Sequence, residues 1–295
     1  MRRRWPVLAA TIPLVAGWAL AAALPATAQV HVPGPGGTVQ SGTVQSGTVQ
    51  PGTGQPGLLQ PGGPITQPSS PAAGDGSQAP AGGQNAVVTS TNWAGYAATG
   101  SAGQFTGVSS SWTQPAGQCD MGNQYAAFWV GLDGYSSSTV EQIGSEVDCV
   151  DGTAQYYAWY ELYPGSSVNF ANPVQPGDHL TGSVAYQGSD QFKLTLADTT
   201  QGWTQSLTKT LAGAQRSSAE VITEAPADST GTLPLTNFGS VDFSGATVND
   251  AGLCTTSPTQ IIMPGTSVSD LSSCGDFSLG YTGMDPGLAW LLGGL

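Results

Sequence analysis

The sequence predicts an all-β protein, an antiparallel β-sandwich or jelly roll. Three observations carry that expectation. From Val87 onward the chain breaks into short runs rich in β-branched and aromatic residues, separated by Gly, Pro, Asp and Ser turns. No run sustains the 3.6-residue apolar period of a helix. The foldable part holds about 200 residues, the size of a two-sheet sandwich built from many short strands.

Read from its start, the chain opens with Arg2, Arg3 and Arg4, then an apolar run, then the small-x-small pattern Ala26-Thr27-Ala28. Residues 1–28 therefore read as a secretory signal peptide for Sec export. Residues 29–86 are low complexity: "GTVQSGTVQSGTVQPGTGQPG" repeats a five-residue unit, and Pro, Gly, Ser and Gln runs follow. Such composition builds no core and reads as a flexible spacer or a removable propeptide. Residues 87–285 are the expected folded domain. Residues 286–295 form an apolar tail too short to span a bilayer. The expected product is secreted, extracellular, monomeric and free of the membrane once the leader is cleaved.

Export changes the charge balance. The whole chain has six basic and nineteen acidic residues. Without the leader, Lys193, Lys209 and Arg216 face all nineteen acids, a formal net charge of −16. That surface repels phosphate backbones, so nucleic acid is excluded as a partner. Near neutrality the acids repel one another, and in acid they protonate and the repulsion fades. The composition suits a protein that works at low pH, and equally one kept soluble by charge.

Cys119, Cys149, Cys254 and Cys274 in an exported chain imply two disulfides. Nearest-neighbour pairing gives Cys119–Cys149 and Cys254–Cys274, one of three possible connectivities. No C-x-x-C occurs and His179 is the one histidine of the domain, so neither a metal site nor a cofactor is expected.

The expected strands run in order through "FTGVSSSWTQP", "QYAAFWVGLDG", "TVEQIGSEVDC", "AQYYAWYELYP", "SVNFANPV", "HLTGSVAYQG", "QFKLTLADT", "WTQSLTKTLAG", "SAEVITEAP", "GSVDFSGATVND", "TQIIMP" and "DFSLGYTG". Alternation sorts the central ones into two faces. Trp129, Gly131 and Asp133 share a face against Phe128, Val130 and Leu132. Gln142, Gly144 and Glu146 oppose Glu141 and Ile143. Trp159, Glu161 and Tyr163 oppose Ala158, Tyr160 and Leu162. Glu220, Ile222 and Glu224 oppose Val221 and Thr223. One face is apolar and belongs in a core. The other carries aromatics with amides and acids and almost no lysine, which reads as a ligand groove more than as a solvent face.

Several chemistries can be weighed against that groove. A serine triad needs a histidine base, and His179 in "QPGDHL" sits at a turn-to-strand junction. No G-x-S-x-G is present, and "GTSVSD" at 265–270 lacks the context of a nucleophile motif. A glycosidase needs two carboxyls about 5–9.5 Å apart. Glu220 and Glu224 lie roughly 13 Å apart along one strand, so they are not such a pair, although Glu161 or Glu146 could complete one across strands. A secreted glycoside hydrolase or a carbohydrate-binding module is thus the alternative function. The remaining chemistry needs one carboxylate to deprotonate a water and one amide to hold an oxyanion. Gln142 and Glu224 supply those groups on strands able to lie side by side.

"STNWAGY", "FWVGLDG", "VEQIGSEVD", "YAWYELYP", "SVNF…QPGDHL" and "SAEVITE" follow one another in order between Thr91 and Asp250. Together they resemble the glutamic peptidases, or eqolisins (peptidase family G1). The resemblance implies a concanavalin-like sandwich of two curved antiparallel sheets and an acid endopeptidase acting on protein or peptide substrates. It implies a catalytic dyad of Gln142 in "VEQIG" and Glu224 in "AEVITE", with Trp129 on the groove wall. Glu224 would be the general base and Gln142 the oxyanion donor. A free glutamate titrates near ~4.3, so its base form survives into mild acid. Trp129, Trp159, Glu161 and Tyr163 would shape substrate subsites or hold the dyad, with Asp133 beside them. Glu141 stands where the family has an apolar residue, and by parity it faces away from the groove.

Overall fold

The structure is a computed structural model, described here for residues 86–119, 122–228 and 231–283. The leader, the spacer up to residue 85 and the C-terminal tail expected above lie outside these residues. The strands are β1 (Val87–Thr89), β2 (Trp93–Thr99), β3 (Gly107–Thr113), β4 (Gln124–Leu132), β5 (Val140–Val150) and β6 (Thr153–Tyr163). They continue with β7 (Val168–Asn169), β8 (His179–Gly188), β9 (Gln191–Asp198), β10 (Trp203–Thr210), β11 (Ser218–Glu224) and β12 (Ala227–Asp228). The rest are β13 (Gly231–Thr232), β14 (Ser240–Val248), β15 (Ala251–Gly252), β16 (Thr259–Ile262), β17 (Thr266–Val268) and β18 (Phe277–Tyr281). A 3₁₀ turn at Leu253–Thr256 is the one helical element among the described residues.

Two large sheets face each other. One has the order β1-β16-β2-β11-β4-β5-β6-β7, and the other runs β10-β9-β8-β3-β14-β18-β17 with β15 beside β14. All pairings within them are antiparallel except β1 with β16. The all-β sandwich expected from the turn spacing is therefore what forms. The expected strand "SVNFANPV" shrinks to the two residues of β7, because two prolines and a bend follow within a few positions.

Alternation distributes the apolar residues as the parity argument requires. Ala126, Phe128, Val130 and Leu132 of β4, Ile143 and Val147 of β5, Ala158 of β6, and Ala219 and Val221 of β11 enter the core between the sheets. There they meet Trp112, Leu180, Val184, Phe192, Leu194, Phe243 and Phe277 from the second sheet. A separate cluster lies on the opposite face of the first sheet: Trp93, Ala97, Ala127, Trp129, Val140, Trp159, Ile222 and Ile261. β4 is consequently buried on both faces from Tyr125 to Leu132.

The two disulfides are Cys119–Cys149 and Cys254–Cys274, the nearest-neighbour pairing. The first ties the loop before β4 to the end of β5. No helix among the described residues is long and apolar enough to cross a membrane.

Candidate active site

The face bearing the second cluster is organised in rows by the strand register. One row reads Trp93, Glu224, Ala127, Glu146 and Tyr157 across β2, β11, β4, β5 and β6. The next reads Gly95, Ile222, Trp129, Gly144 and Trp159. The third reads Ala97, Glu220, Gly131, Gln142 and Glu161. Gln142 and Glu224 do share this face, but their strands are not neighbours, contrary to the simplest expectation. β4 lies between β11 and β5, so the two residues occupy diagonal corners around Trp129. Two strand spacings of about 4.8 Å and four residues at about 3.3 Å separate their Cα atoms in a flat sheet by on the order of 16 Å. Both side chains are long enough to reach inward from those corners, and both are fully buried.

Trp129 can fill the centre because its neighbours are glycines. A Cβ on Gly144 would lie 2.2 Å from the Phe128 carbonyl oxygen and 2.6 Å from the Trp129 Cβ. A Cβ on Gly131 would lie 2.9 Å from Cζ3 of the indole and 3.2 Å from the Gln142 Cβ. The ring also meets Trp93 edge-on, with centroids 4.9 Å apart at 77°. This packing aims the indole N–H at the acid: Trp129 Nε1 donates to Glu224 Oε2 at 2.8 Å.

Asn92 reaches the other oxygen of Glu224, its Nδ2 3.5 Å from Oε1. Ser90 fixes the orientation of that amide by donating its hydroxyl to Asn92 Oδ1 at 2.9 Å, while accepting from the backbone N–H groups of Asn92 and Trp93. Donors aimed at a carboxylate favour its ionised form. Ser90 and Asn92 belong to the turn just ahead of β2 and were not singled out as site residues above. Their signal was the run "STNW", which places two small polar side chains immediately before an aromatic strand.

Gln142 is held by its cross-strand partner. Its Nε2 donates to Glu161 Oε2 at 2.8 Å, which fixes the amide end of the side chain against β6. Burial, followed by the charge of Glu224, pushes Glu161 up to about 9. Glu161 is therefore a neutral acid throughout the acidic range. Burial holds Glu220, opposite Gly131 on the same row, well above its ordinary value, and Ser218 offsets only part of that. Trp159 and Tyr163 lie on the groove face as parity predicts. The indole N–H groups of Trp93 and Trp159 are buried there without hydrogen-bond partners.

Asp133 departs from the groove role expected for it. Its φ of 68° breaks the alternation of β4. Its carboxylate accepts from the backbone N–H groups of Arg216 and Ser217 at 2.7 and 2.9 Å, and from the hydroxyls of Ser217 and Thr139. It anchors the turn that leads into β11, and so sets the register of Glu220 and Glu224. Glu141 faces away from the groove into the core, fully buried. Burial, with the nearby Asp133 charge, pushes it up to about 9, and Thr139 and Arg216 offset only part of that. His179 is exposed at the start of β8, its Nδ1 3.1 Å from the Thr113 hydroxyl.

The family model for the Peptidase A4 family matches residues 91–273. The chain belongs to this family. The match covers every groove residue named above except Ser90. Aspergillopepsin-2 of Aspergillus niger is 29% identical over 189 residues, which are 55% of this chain and 66% of that protein. The chain thus spans a little under two thirds of that relative's length. Among solved structures, scytalido-glutamic peptidase with a transition-state analogue inhibitor is 26% identical at a TM-score of 0.56, covering 65% of this chain and 98% of that one. The same peptidase with a peptide-based transition-state analogue gives a TM-score of 0.55 at 26% identity, with the same coverage. SCP-B, an eqolisin in complex with the tripeptide Ala-Ile-His, shares the fold at a TM-score of 0.53 and 24% identity, again over 65% of this chain and 98% of its own. The β-sandwich of this Peptidase A4 chain is thus the eqolisin fold, and the resemblance drawn from the ordered motifs identified its family.

Proposed function

We propose that the chain is a secreted acid endopeptidase in which Glu224 and Gln142 form the catalytic dyad. The observation that carries this reading is the pair of side chains fixed around Trp129. The carboxylate of Glu224 is held by an indole N–H, and the amide of Gln142 is held by Glu161.

Glu224 takes a proton from a water, and the water oxygen attacks the carbonyl carbon of the scissile peptide bond. The Gln142 amide donates an N–H to the carbonyl oxygen as it gains negative charge. Glu224, now protonated, passes its proton to the leaving nitrogen as the C–N bond breaks. Glu161 accepts from Gln142 and so keeps the NH₂ end toward the groove. Being neutral in acid, it does not compete with Glu224 as a base. Trp129, Trp159 and Tyr163 provide apolar wall for the peptide. Membership of the Peptidase A4 family and the peptide-based analogue bound by a structural relative favour this over the glycosidase or lectin alternative. Export is supported by the leader-like N-terminus and the two disulfides.

The test is cleavage of denatured casein between pH 3 and 6, with polysaccharides as the control substrate. Wild-type protein should cleave the casein, and Glu224→Gln and Gln142→Ala should each abolish cleavage while the circular dichroism stays unchanged. Full activity in either variant rules out the dyad.

A further inference from the structure

Two more acids share the groove face and take no part in that chemistry. Glu146 lies on the row of Glu224, with Ala127 of β4 between them and Tyr157 of β6 on its other side. Asp148, two residues on, points the same way between Tyr125 and Gln155. Glu146 is 4% exposed and Asp148 8%. Glu146 Oε1 and Asp148 Oδ1 are buried with no hydrogen-bond partner.

Buried carboxylates are ordinarily paired with a cation. Here no described residue supplies one. The basic side chains among the described residues are His179, Lys193, Lys209 and Arg216. His179 and Lys193 are exposed on the second sheet. Lys209 lies over the Tyr160 ring and Arg216 over that of Tyr186. The groups that do face the pair are acidic or phenolic: Glu224 from β11, Glu161 and Tyr157 from β6, Tyr125 from β4 and, near Tyr125, Asp228 from β12. Two tyrosine rings beside an acid pair suit a cationic side chain, which gains hydrogen bonds from the carboxylates and attraction from the ring faces.

We propose that Glu146 and Asp148 form a specificity subsite for a lysine or arginine side chain of the substrate. This rests on the peptide-cleaving reading above. The subsite lies along the row from Glu224, across the small Ala127, so it receives a residue close to the scissile bond. Its strength depends on pH. Burial pushes Asp148 up to about 6, and burial together with the Asp148 charge pushes Glu146 well above its ordinary value. The pair is neutral near pH 4 and gains its first charge as pH rises through about 6.

Matched peptide substrates that place lysine, arginine or norleucine at each position around one cleavage site test this, at pH 4.5 and 6.5. The quantity read is the ratio of kcat/KM for lysine over norleucine within each protein. At one position the ratio should reach roughly tenfold at pH 6.5, the scale of a charge-assisted hydrogen bond. It should shrink at pH 4.5 and fall to about one in the Glu146→Gln/Asp148→Asn variant. A ratio near one at every position in the wild type, or a tenfold ratio that survives in the double variant, overturns the proposal. If the double variant fails to fold, Asp148→Asn alone is read by the same criterion. Cleavage of norleucine peptides without a lysine gain refutes the subsite and leaves the peptidase reading intact. If no peptide is cleaved, the peptidase reading fails, and calorimetric titration of the same lysine and norleucine peptides into Glu224→Gln protein decides the subsite by the same ratio.

Discussion

Trp129 and Glu224 are joined by a 2.8 Å hydrogen bond from the indole Nε1 to Oε2, although ninety-five residues separate them in sequence. The bond exists because β4 and β11 pair with Trp129 opposite Ile222, one row from Glu224. It both aims the carboxylate and stabilises its charge. Trp129→Phe keeps the ring and removes the donor. A hydrogen bond to a charged group is worth about 1.5–3 kcal/mol, so kcat/KM should fall roughly 10- to 100-fold. The acid limb of its pH profile should also move to higher pH, because a carboxylate that loses a donor binds its proton more tightly. An unchanged limb would mean that the ring acts by packing alone.

Glu161 is expected to act on Gln142 through position, not charge. Glu161→Gln keeps a carbonyl oxygen for the Gln142 amide to donate to, and should retain most activity. Glu161→Ala frees the amide to rotate, with a loss approaching the 10²- to 10³-fold typical of removing an oxyanion donor. Equal losses in the two variants would instead assign a role to the ionisable group. Steady-state kinetics on a single peptide distinguish these outcomes.

Stability should be greatest in acid. Burial raises Glu141 and Glu161 to about 9 and Asp148 to about 6, and holds Glu146 and Glu220 well up. Above the ordinary carboxylate range near ~4.3, the folded protein therefore keeps protons that the unfolded chain releases. Stability is complete below that range and declines as pH rises toward the folded values. Thermal melts should show a midpoint lower by roughly 10 °C or more at pH 8 than at pH 4. Glu141→Gln should recover part of that loss at pH 8 and change little at pH 4. A midpoint that rises with pH would contradict these assignments.

The glycines beside Trp129 should separate structure from catalysis. Gly144→Ala drives a methyl into backbone and should destabilise by about 2–3 kcal/mol. Gly131→Ala meets the far edge of the indole, which can move. It should cost activity well before stability, by pushing the ring off Glu224. Parallel denaturant titrations and assays of the two variants read this contrast.

Much of the fold was legible because strand period is a local signal. Alternation in "AAFWVGLDG" and "YAWYELYP" assigns each side chain to a face without knowledge of any partner. Strand order is set by contacts far apart in sequence, so nothing in "VEQIG" or "AEVITE" reveals that β4 separates them. Asp133 escaped parity because a left-handed residue ends the alternation, and a backbone torsion leaves little trace in "LDGY". Glu141 shows the reverse case. Its orientation followed from parity, but its complete burial depended on neighbours from other strands. Asn92, oriented by Ser90, reaches Glu224 only because β2 pairs with β11 and brings Trp93 opposite it.

β4 has no wet side. Its odd-numbered and even-numbered residues are both enclosed, one set by the inter-sheet core and the other by the tryptophan cluster. A change at Phe128 and a change at Trp129 are thus transmitted to different machinery through a single ribbon of backbone. Redesign of cleavage preference has little freedom at this central strand. It has more at β6 and β7, where Tyr157, Tyr163 and Asn169 are only partly enclosed and a substitution disturbs one neighbour at a time.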